Sequence, residues 1–150
     1  MNNIQYLELD DSSVDDLVSF QKKFCKDLNG NISNRFALKK SQIYTLIAYS
    51  RNSIVGFLIA QRISDSFEIN SFFISPPFRR KGVGEELLKH FIKNSSKKKI
   101  TSIYLEVMQS NKIAIKLYSK FKFLSYGSRK DYYVINGLKY DAILMKLILN

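Results

Sequence analysis

The chain has 150 residues, 45% of them hydrophobic, with one cysteine and no tryptophan, which predicts one globular domain whose core needs no staples. The lone Cys25 rules out an intramolecular disulfide, and no apolar run reaches the ~20 residues that span a bilayer. With a formal net charge of +11 and an N-terminus, "MNNIQYLELDD", that lacks the basic-then-apolar layout of a signal peptide, the expectation is a protein of a reducing cytoplasm that engages no membrane.

"IQYLEL" (residues 4–9) alternates as a strand. Ser12 with Asp15 makes a capping-box pattern for a helix over about residues 14–28, ended by "NGN" at 29–31. A shorter helical stretch is predicted around residues 33–40. "QIYTLIAYS" and "SIVGFLIAQRI" follow as β-rich runs joined by Arg51-Asn52-Ser53, a hairpin signal. A further strand, "FEINSFFIS", stops at Pro76-Pro77, which offer no backbone donors. From Gly82 the period turns helical: Val83, Leu87, Leu88, Phe91 and Ile92 share one face, with Glu85, Glu86, Lys89 and Lys93 turned outward. "TSIYLEVM" reads as a strand and "NKIAIKLYSKF" as a helix, and two more strands are predicted around residues 122–128 and 138–148. The order β-α-α-β-β-β-α-β-α-β-β predicts a mixed α/β domain: a single central sheet, mostly antiparallel because short connections join the early strands, flanked by helices.

The charge is unevenly spread. Residues 1–75 hold 8 Lys/Arg and 8 Asp/Glu, and residues 76–150 hold 16 and 5, so the whole excess lies in the second half, where an anionic partner is expected. The run Lys97-Lys98-Lys99 reads as a solvated loop. "FRRKGVGEELLKHF" (78–91) is more specific. Arg79, Arg80 and Lys81 lead through Gly82, Val83 and Gly84 into a helix, so glycines that let backbone approach a ligand meet unpaired N–H groups at the positive end of a helix dipole. That combination makes a pyrophosphate cradle. Neither a Walker loop nor a dinucleotide fingerprint fits; taken alone, R-x-x-G-x-G suits a basic turn capping an ordinary helix equally well.

"SFFISPPFRRKGVGEELLKHFI", then "IYLEV", then "SNKIAIKLYSKFKF" at this spacing resembles the GCN5-related N-acetyltransferase (GNAT) superfamily, whose R/Q-x-x-G-x-G/A loop holds the pyrophosphate of acetyl-CoA. More narrowly, "YLEVMQSNKIAIKLYSKFKF" followed by "SRKDYY" is similar to the RimI-type acetyltransferases, which modify the N-terminal alanine of a ribosomal protein. The close resemblance covers about residues 68–147; the N-terminal third matches in its β-α-α-β-β layout. It departs at "FCKDLNGNISNRF" (24–36), where RimI-type enzymes carry an aromatic-proline-tryptophan stretch beside the peptide groove and this chain has neither Pro nor Trp. The resemblance implies direct acetyl transfer from acetyl-CoA, in a ternary complex, to the N-terminal α-amine of a protein, a ribosomal protein by analogy, with no nucleic acid required. Transfer to a lysine or a polyamine stays open, as does a basic ribosome- or RNA-binding module of the same fold without turnover.

Acetyl transfer needs a neutral amine and a proton for the departing thiolate. Glu106 shares a strand face with Tyr104, opposite Ile103, Leu105 and Val107, where its carboxylate could draw a proton from the amine through water or simply sit solvated. Asn111 and Tyr118 lie seven apart, two turns along one helical face with Ala114 and Ile115 between them. By resemblance Tyr118 is the general acid and touches the cofactor, and Asn111 binds the pantetheine arm; core packing beside Leu117 and Phe121 is the other account of Tyr118. The resemblance also assigns backbone contacts to pantetheine at Phe73 and Ile74, and a peptide-groove border to Tyr132 and Tyr133, in the turn before the final strand pair. His90 has no second ligand at metal spacing and reads as structural, with no metal expected; Cys25 reads as a small apolar residue.

Overall fold

The computed structural model describes residues 3–25 and 35–150. Within them, strands β1 (Ile4–Glu8), β2 (Ile43–Ser50), β3 (Ser53–Ile63), β4 (Ser66–Ile74), β5 (Ser102–Met108), β6 (Leu124–Ile135) and β7 (Leu138–Ile148) form one sheet in the order β1-β2-β3-β4-β5-β7-β6. Every neighbouring pair is antiparallel except β4 with β5. Helices α1 (Val14–Phe24) and α2 (Arg35–Leu38) pack on one face, and α3 (Val83–Lys97) and α4 (Lys112–Lys120) on the other.

Coverage on both faces explains the near-continuous apolar runs of β2 and β3. Leu46, Ala48, Leu58 and Ala60 point into the core under α3, while Ile47, Phe57 and Ile59 point toward α1 with Leu17 and Phe20. On α3 the predicted stripe is buried at Val83, Leu87, Leu88 and Phe91, each side chain worth about 1.5–3 kcal/mol; Ile92 is only half-buried. Tyr44 ties three elements together: its hydroxyl donates to Glu8 (3.1 Å) and accepts from Asn94 Nδ2 (2.9 Å). His90 stacks on Tyr6 with ring centroids 4.7 Å apart, a packing role. Among the described residues no helix is long and apolar enough to cross a membrane.

Several boundaries differ from expectation. Asp10, not Ser12, caps the first helical segment: its Oδ1 accepts from the Ser13 N–H (3.0 Å) and the Ser12 hydroxyl (2.6 Å), opening a 3-10 turn that runs into α1. The predicted helix end after Cys25 and the "NGN" stop lie outside the described residues. The β2–β3 turn needs only Arg51 and Asn52, both at positive φ (51° and 68°), because a tight hairpin of this hand matches strand twist. The same device, Asn136 and Gly137 at φ 51° and 79°, joins β6 to β7. Strand β6 therefore runs on to Ile135, and Tyr132 and Tyr133 lie inside it rather than in a turn.

Candidate active site

Strands β4 and β5 hold each other only through Ser66–Ile69 against Ser102–Leu105. Beyond that register β4 continues to Ile74 on β3 and β5 to Met108 on β7 without pairing with each other, so the sheet opens into a fork. A bulge starts the divergence: Ala60 faces Ile69 and Ile59 faces Ser71, leaving Asn70 unmatched, and an extra residue bends its strand.

Within the fork, β4 exposes backbone only on the side away from β3. The Ser75 N–H donates to Val55 O at 2.8 Å, so by strand alternation Phe73 spends its N–H and C=O on its register partner Phe57. Phe72 and Ile74 turn theirs toward the opening. The pair expected to meet pantetheine amides is thus shifted: Phe73 faces β3, and Phe72, which the sequence reading omitted, takes its place beside Ile74. Ile74 O already accepts from Arg79 Nε at 2.8 Å.

Past β4, Pro76–Phe78 forms a 3-10 turn and the chain reaches α3 through Arg80 and Gly82, both at positive φ (60° and 80°). Gly82 is the N-cap of α3 and no side chain caps the helix. The first intrahelical bond runs from the Glu86 N–H to Gly82 O (3.0 Å), leaving the N–H groups of the first turn for a ligand. A Cβ at Gly82 would meet nothing within 4 Å, so open space borders the helix mouth. Gly84 has another role. A Cβ there would make only ordinary contacts, with Ile74 Cγ1 at 3.5 Å and the Phe72 ring at 3.7 Å, so Gly84 packs against β4 without a steric need for glycine. Arg80 and Lys81 are exposed at the mouth. Arg79 is anchored backward, its guanidinium 5.1 Å from the Phe73 ring centroid. Open N–H groups, a cationic loop and free strand backbone beside them fit a diphosphate with an amide-bearing arm.

Asn111 sits just before α4, not on its face: at φ −82°, ψ 73° it is the N-cap, its Oδ1 accepting from the Ala114 N–H at 3.2 Å. Tyr118, near the end of α4, is 8% exposed and packs against Phe72 and Phe123, with ring centroids at 6.3 and 5.5 Å. Burial first, and the neighbouring Tyr133 second, push its phenol far above the ordinary range. Tyr118 shares the α3-side core with Leu105 and Val107, so Glu106 on the same strand faces the other way. The two lie on opposite faces of the sheet at the fork.

Around Glu106 the structure gathers residues from β6. Arg129 Nε donates to Glu106 Oε1 at 3.0 Å. Tyr132 is raised chiefly by a hydrogen bond to Glu106. Tyr133 is pushed up to about 12, by burial first and then by Glu106 and Tyr132. The register of β6 against β7 shifts between Arg129 and Tyr133. Tyr133 thus feels the charge of Glu106 and in turn bears on Tyr118, which places it between the two faces of the fork. Arg129 was missed; "SRKDYY" contains it, but its partner is 23 residues earlier on another strand. Cys25 is buried, and burial pushes its thiol up with Arg79 opposing. Among the described residues no group of three His, Cys, Asp or Glu side chains comes within metal-binding reach.

The profile of the acetyltransferase (GNAT) family matches residues 5–123. Over 113 residues, 75% of this chain and 76% of the relative, the sequence is 31% identical to the ribosomal protein bS18-alanine N-acetyltransferase of Escherichia coli strain K12. It is 33% identical over 100 residues, 66% of this chain and 69% of the relative, to the protein of the same name from Haemophilus ducreyi. Among solved structures, the ribosomal-protein-S18-alanine N-acetyltransferase from Escherichia coli superposes with a TM-score of 0.86 at 21% identity, over 99% of this chain and 95% of that one. Arabidopsis thaliana NAA60 in complex with acetyl-CoA superposes at 0.81 with 19% identity, over 99% of both chains.

Proposed function

The chain belongs to the acetyltransferase (GNAT) family, and from that premise we propose that it moves the acetyl group of acetyl-CoA onto the N-terminal α-amine of a ribosomal protein, by direct attack in a ternary complex. The observation that carries this reading is the fork itself, with a carboxylate, Glu106, on one face of the sheet and a buried phenol, Tyr118, on the other. The thioester supplies the activated acetyl group. Backbone N–H groups at the start of α3, with Arg80 and Lys81, hold the diphosphate, and Phe72 and Ile74 offer backbone to the amide-bearing arm. Glu106 takes the amine proton through water, and Tyr118 donates to the departing sulfur. Arg129 holds the Glu106 side chain in place.

An α-amine is the acceptor that suits this chemistry at neutral pH. Its ordinary pKa is about 7.7–8.0 against about 10.4 for lysine, so a far larger share is already neutral and able to attack. The relatives named as bS18-alanine N-acetyltransferases support the ribosomal class of acceptor. The test compares two peptides at fixed acetyl-CoA: one with a free small N-terminal residue, the other N-terminally blocked and containing lysine. Mass spectrometry should place the acetyl group on the α-amine of the first. Faster modification of the blocked peptide, or of a polyamine, sinks the N-terminal assignment.

A further inference from the structure

Residues 80–99 and 111–122, which carry α3 and α4, hold 11 Lys/Arg and two Glu, whereas the rest of the chain holds 13 Lys/Arg and 11 Asp/Glu. Nearly all of the net charge therefore sits on two helices. On α3 the buried residues Leu87, Leu88, Phe91 and Ser95 face the sheet, so at about 100° per residue the exposed Lys89, Lys93 and Lys97 line the outward side. On α4 Tyr118 turns inward, and the exposed Lys112, Lys116 and Lys120 run along the outward side. Successive lysines in each row stand about 6 Å apart along the helix axis.

The two rows belong to one surface. Both helices cover the same face of the sheet, and Lys120 Nζ meets Glu85 Oε1 at 2.7 Å, which ties the end of α4 to the first turn of α3. Little of the charge is neutralised. Glu86 lies 3.8 Å from Lys89, and Lys98 turns back to Glu8 at 3.5 Å. Lys93, Lys97, Lys99, Lys112, Lys116 and Lys122 make no ion pair among the described residues, and α4 carries no acidic residue. Of all these cations the diphosphate cradle uses only Arg80 and Lys81.

We propose that the outward face of α3 and α4 docks on the phosphate backbone of folded RNA, apart from the fork where acetyl transfer occurs. Protein–protein interfaces are depleted in lysine and enriched in aromatic residues; here lysine prevails, and Ile113 is the one exposed large hydrophobic among the described residues of either helix. The apolar stripes of both helices are spent on the sheet, so neither lies in a bilayer interface as an amphipathic membrane helix does. Lysines are point charges on flexible stems that neutralise phosphates without reading bases, and neither helix exposes an aromatic ring as a stacking platform for single strands. The surface follows from charge placement alone; RNA as the polyanion rests on the ribosomal acceptor proposed above, whose own setting is RNA. Transfer to a free peptide needs none.

Fluorescence anisotropy with a labelled RNA duplex of about 20 base pairs, at saturating acetyl-CoA and over a salt series, tests this. The unaltered protein should bind with a slope of log K against log salt of about −5, for six phosphate contacts. The triple variant Lys93→Glu, Lys97→Glu, Lys116→Glu should bind at least about tenfold more weakly and flatten the slope by about three. The triple Lys22→Glu, Lys23→Glu, Lys40→Glu takes the same charge from exposed positions on the α1–α2 side and should bind nearly as the unaltered protein does. Equal loss in both triples reduces the effect to net charge and overturns the surface. So do RNA that acetyl-CoA displaces, which places it in the cradle, and binding to phosphatidylserine vesicles with none to the duplex, which makes the partner a membrane. The α3–α4 triple should acetylate free peptides at the unaltered rate; a loss there assigns its lysines to the reaction and overturns the docking surface. Absent RNA binding with intact α-amine acetylation overturns the surface and leaves the proposed function standing, and the reverse result does the opposite. Should the triple fail to fold, Lys93→Glu and Lys116→Glu taken singly decide: each should flatten the slope by about one, and an unchanged slope in both overturns the proposal.

Discussion

Tyr118 is held as a neutral phenol by what surrounds it. Packing against Phe72 and Phe123 removes water, and the neighbouring Tyr133 hydroxyl adds to the cost of a negative charge. A thiol ordinarily titrates near 8.5, which makes full proton transfer from this phenol uphill, but the same dry surroundings raise the basicity of a thiolate lodged there and narrow the gap. Tyr118→Phe keeps the ring and its packing, so acetyl-CoA affinity and folding should survive while kcat falls by about 10²–10⁴-fold. The raised phenol also fixes a sign. The protonated form is the working form and persists well above pH 10, so kcat/KM should climb through the α-amine titration at about 7.7–8.0 with no alkaline limb from Tyr118 below about pH 10. Calorimetry for acetyl-CoA and a pH series of rates check both halves; a Tyr118→Phe protein with undiminished kcat reduces this tyrosine to core packing.

At the scale of elements, the loop into α3 separates two glycines that look alike in sequence. Gly82 sits at φ 80°, where a side chain is strained, and a Cβ there enters open space at the helix mouth. Gly82→Val should cost about 1–2 kcal/mol of stability, a fall of about 2–8 °C in Tm for a chain of this size, and weaken acetyl-CoA binding by more than that strain explains. Gly84→Ala meets only ordinary contacts with Ile74 and Phe72, gains helix propensity, and should keep both binding and Tm. Titration calorimetry on the two variants distinguishes a ligand cradle from a plain cap: undisturbed binding in Gly82→Val leaves only the cap. The helical stripe of α3, the order of elements and the basic glycine loop could be read from local pattern, because periodicity and glycine chemistry are local. The course of β6 could not. Its exposed edge "LSYGSRKDYYVI" lacks alternation, and the Asn136-Gly137 turn that sets its length was passed over. The fork depends on where β4 and β5 stop pairing, and the Arg129–Glu106 contact joins two strands distant in sequence. Glu106 and Tyr118 were found through the motif around them, since a lone carboxylate on a strand and a lone tyrosine on a helix are ordinary surface and core residues.

Across the described residues, burial is the first cause raising five tyrosines, most strongly Tyr44 in the β1–β2–α3 knot and Tyr118 and Tyr133 at the fork, with Tyr6 and Tyr126 raised less. In the unfolded chain each titrates near 10. Above that pH the unfolded state releases phenolic protons that the native state keeps, so stability is fully present below about pH 10 and falls as pH rises toward the folded values. Tyr118 and Tyr44, both nearly free of solvent, each contribute a loss of up to about 1.4 kcal/mol per pH unit; Tyr133, half-buried, adds less because water screens it. The excess of cations works the other way. As lysines lose protons over the same range the self-repulsion of a chain at +11 declines, so alkaline destabilisation here is the signature of the tyrosines. Denaturant midpoints taken from neutral pH to pH 11 should stay level or rise to about pH 10 and then drop, with phenolate absorbance appearing together with loss of circular dichroism. In Tyr118→Phe the drop should be shallower. Phenolate absorbance that rises fully while the fold remains intact would show these hydroxyls open to solvent and remove burial as the source of their shifts.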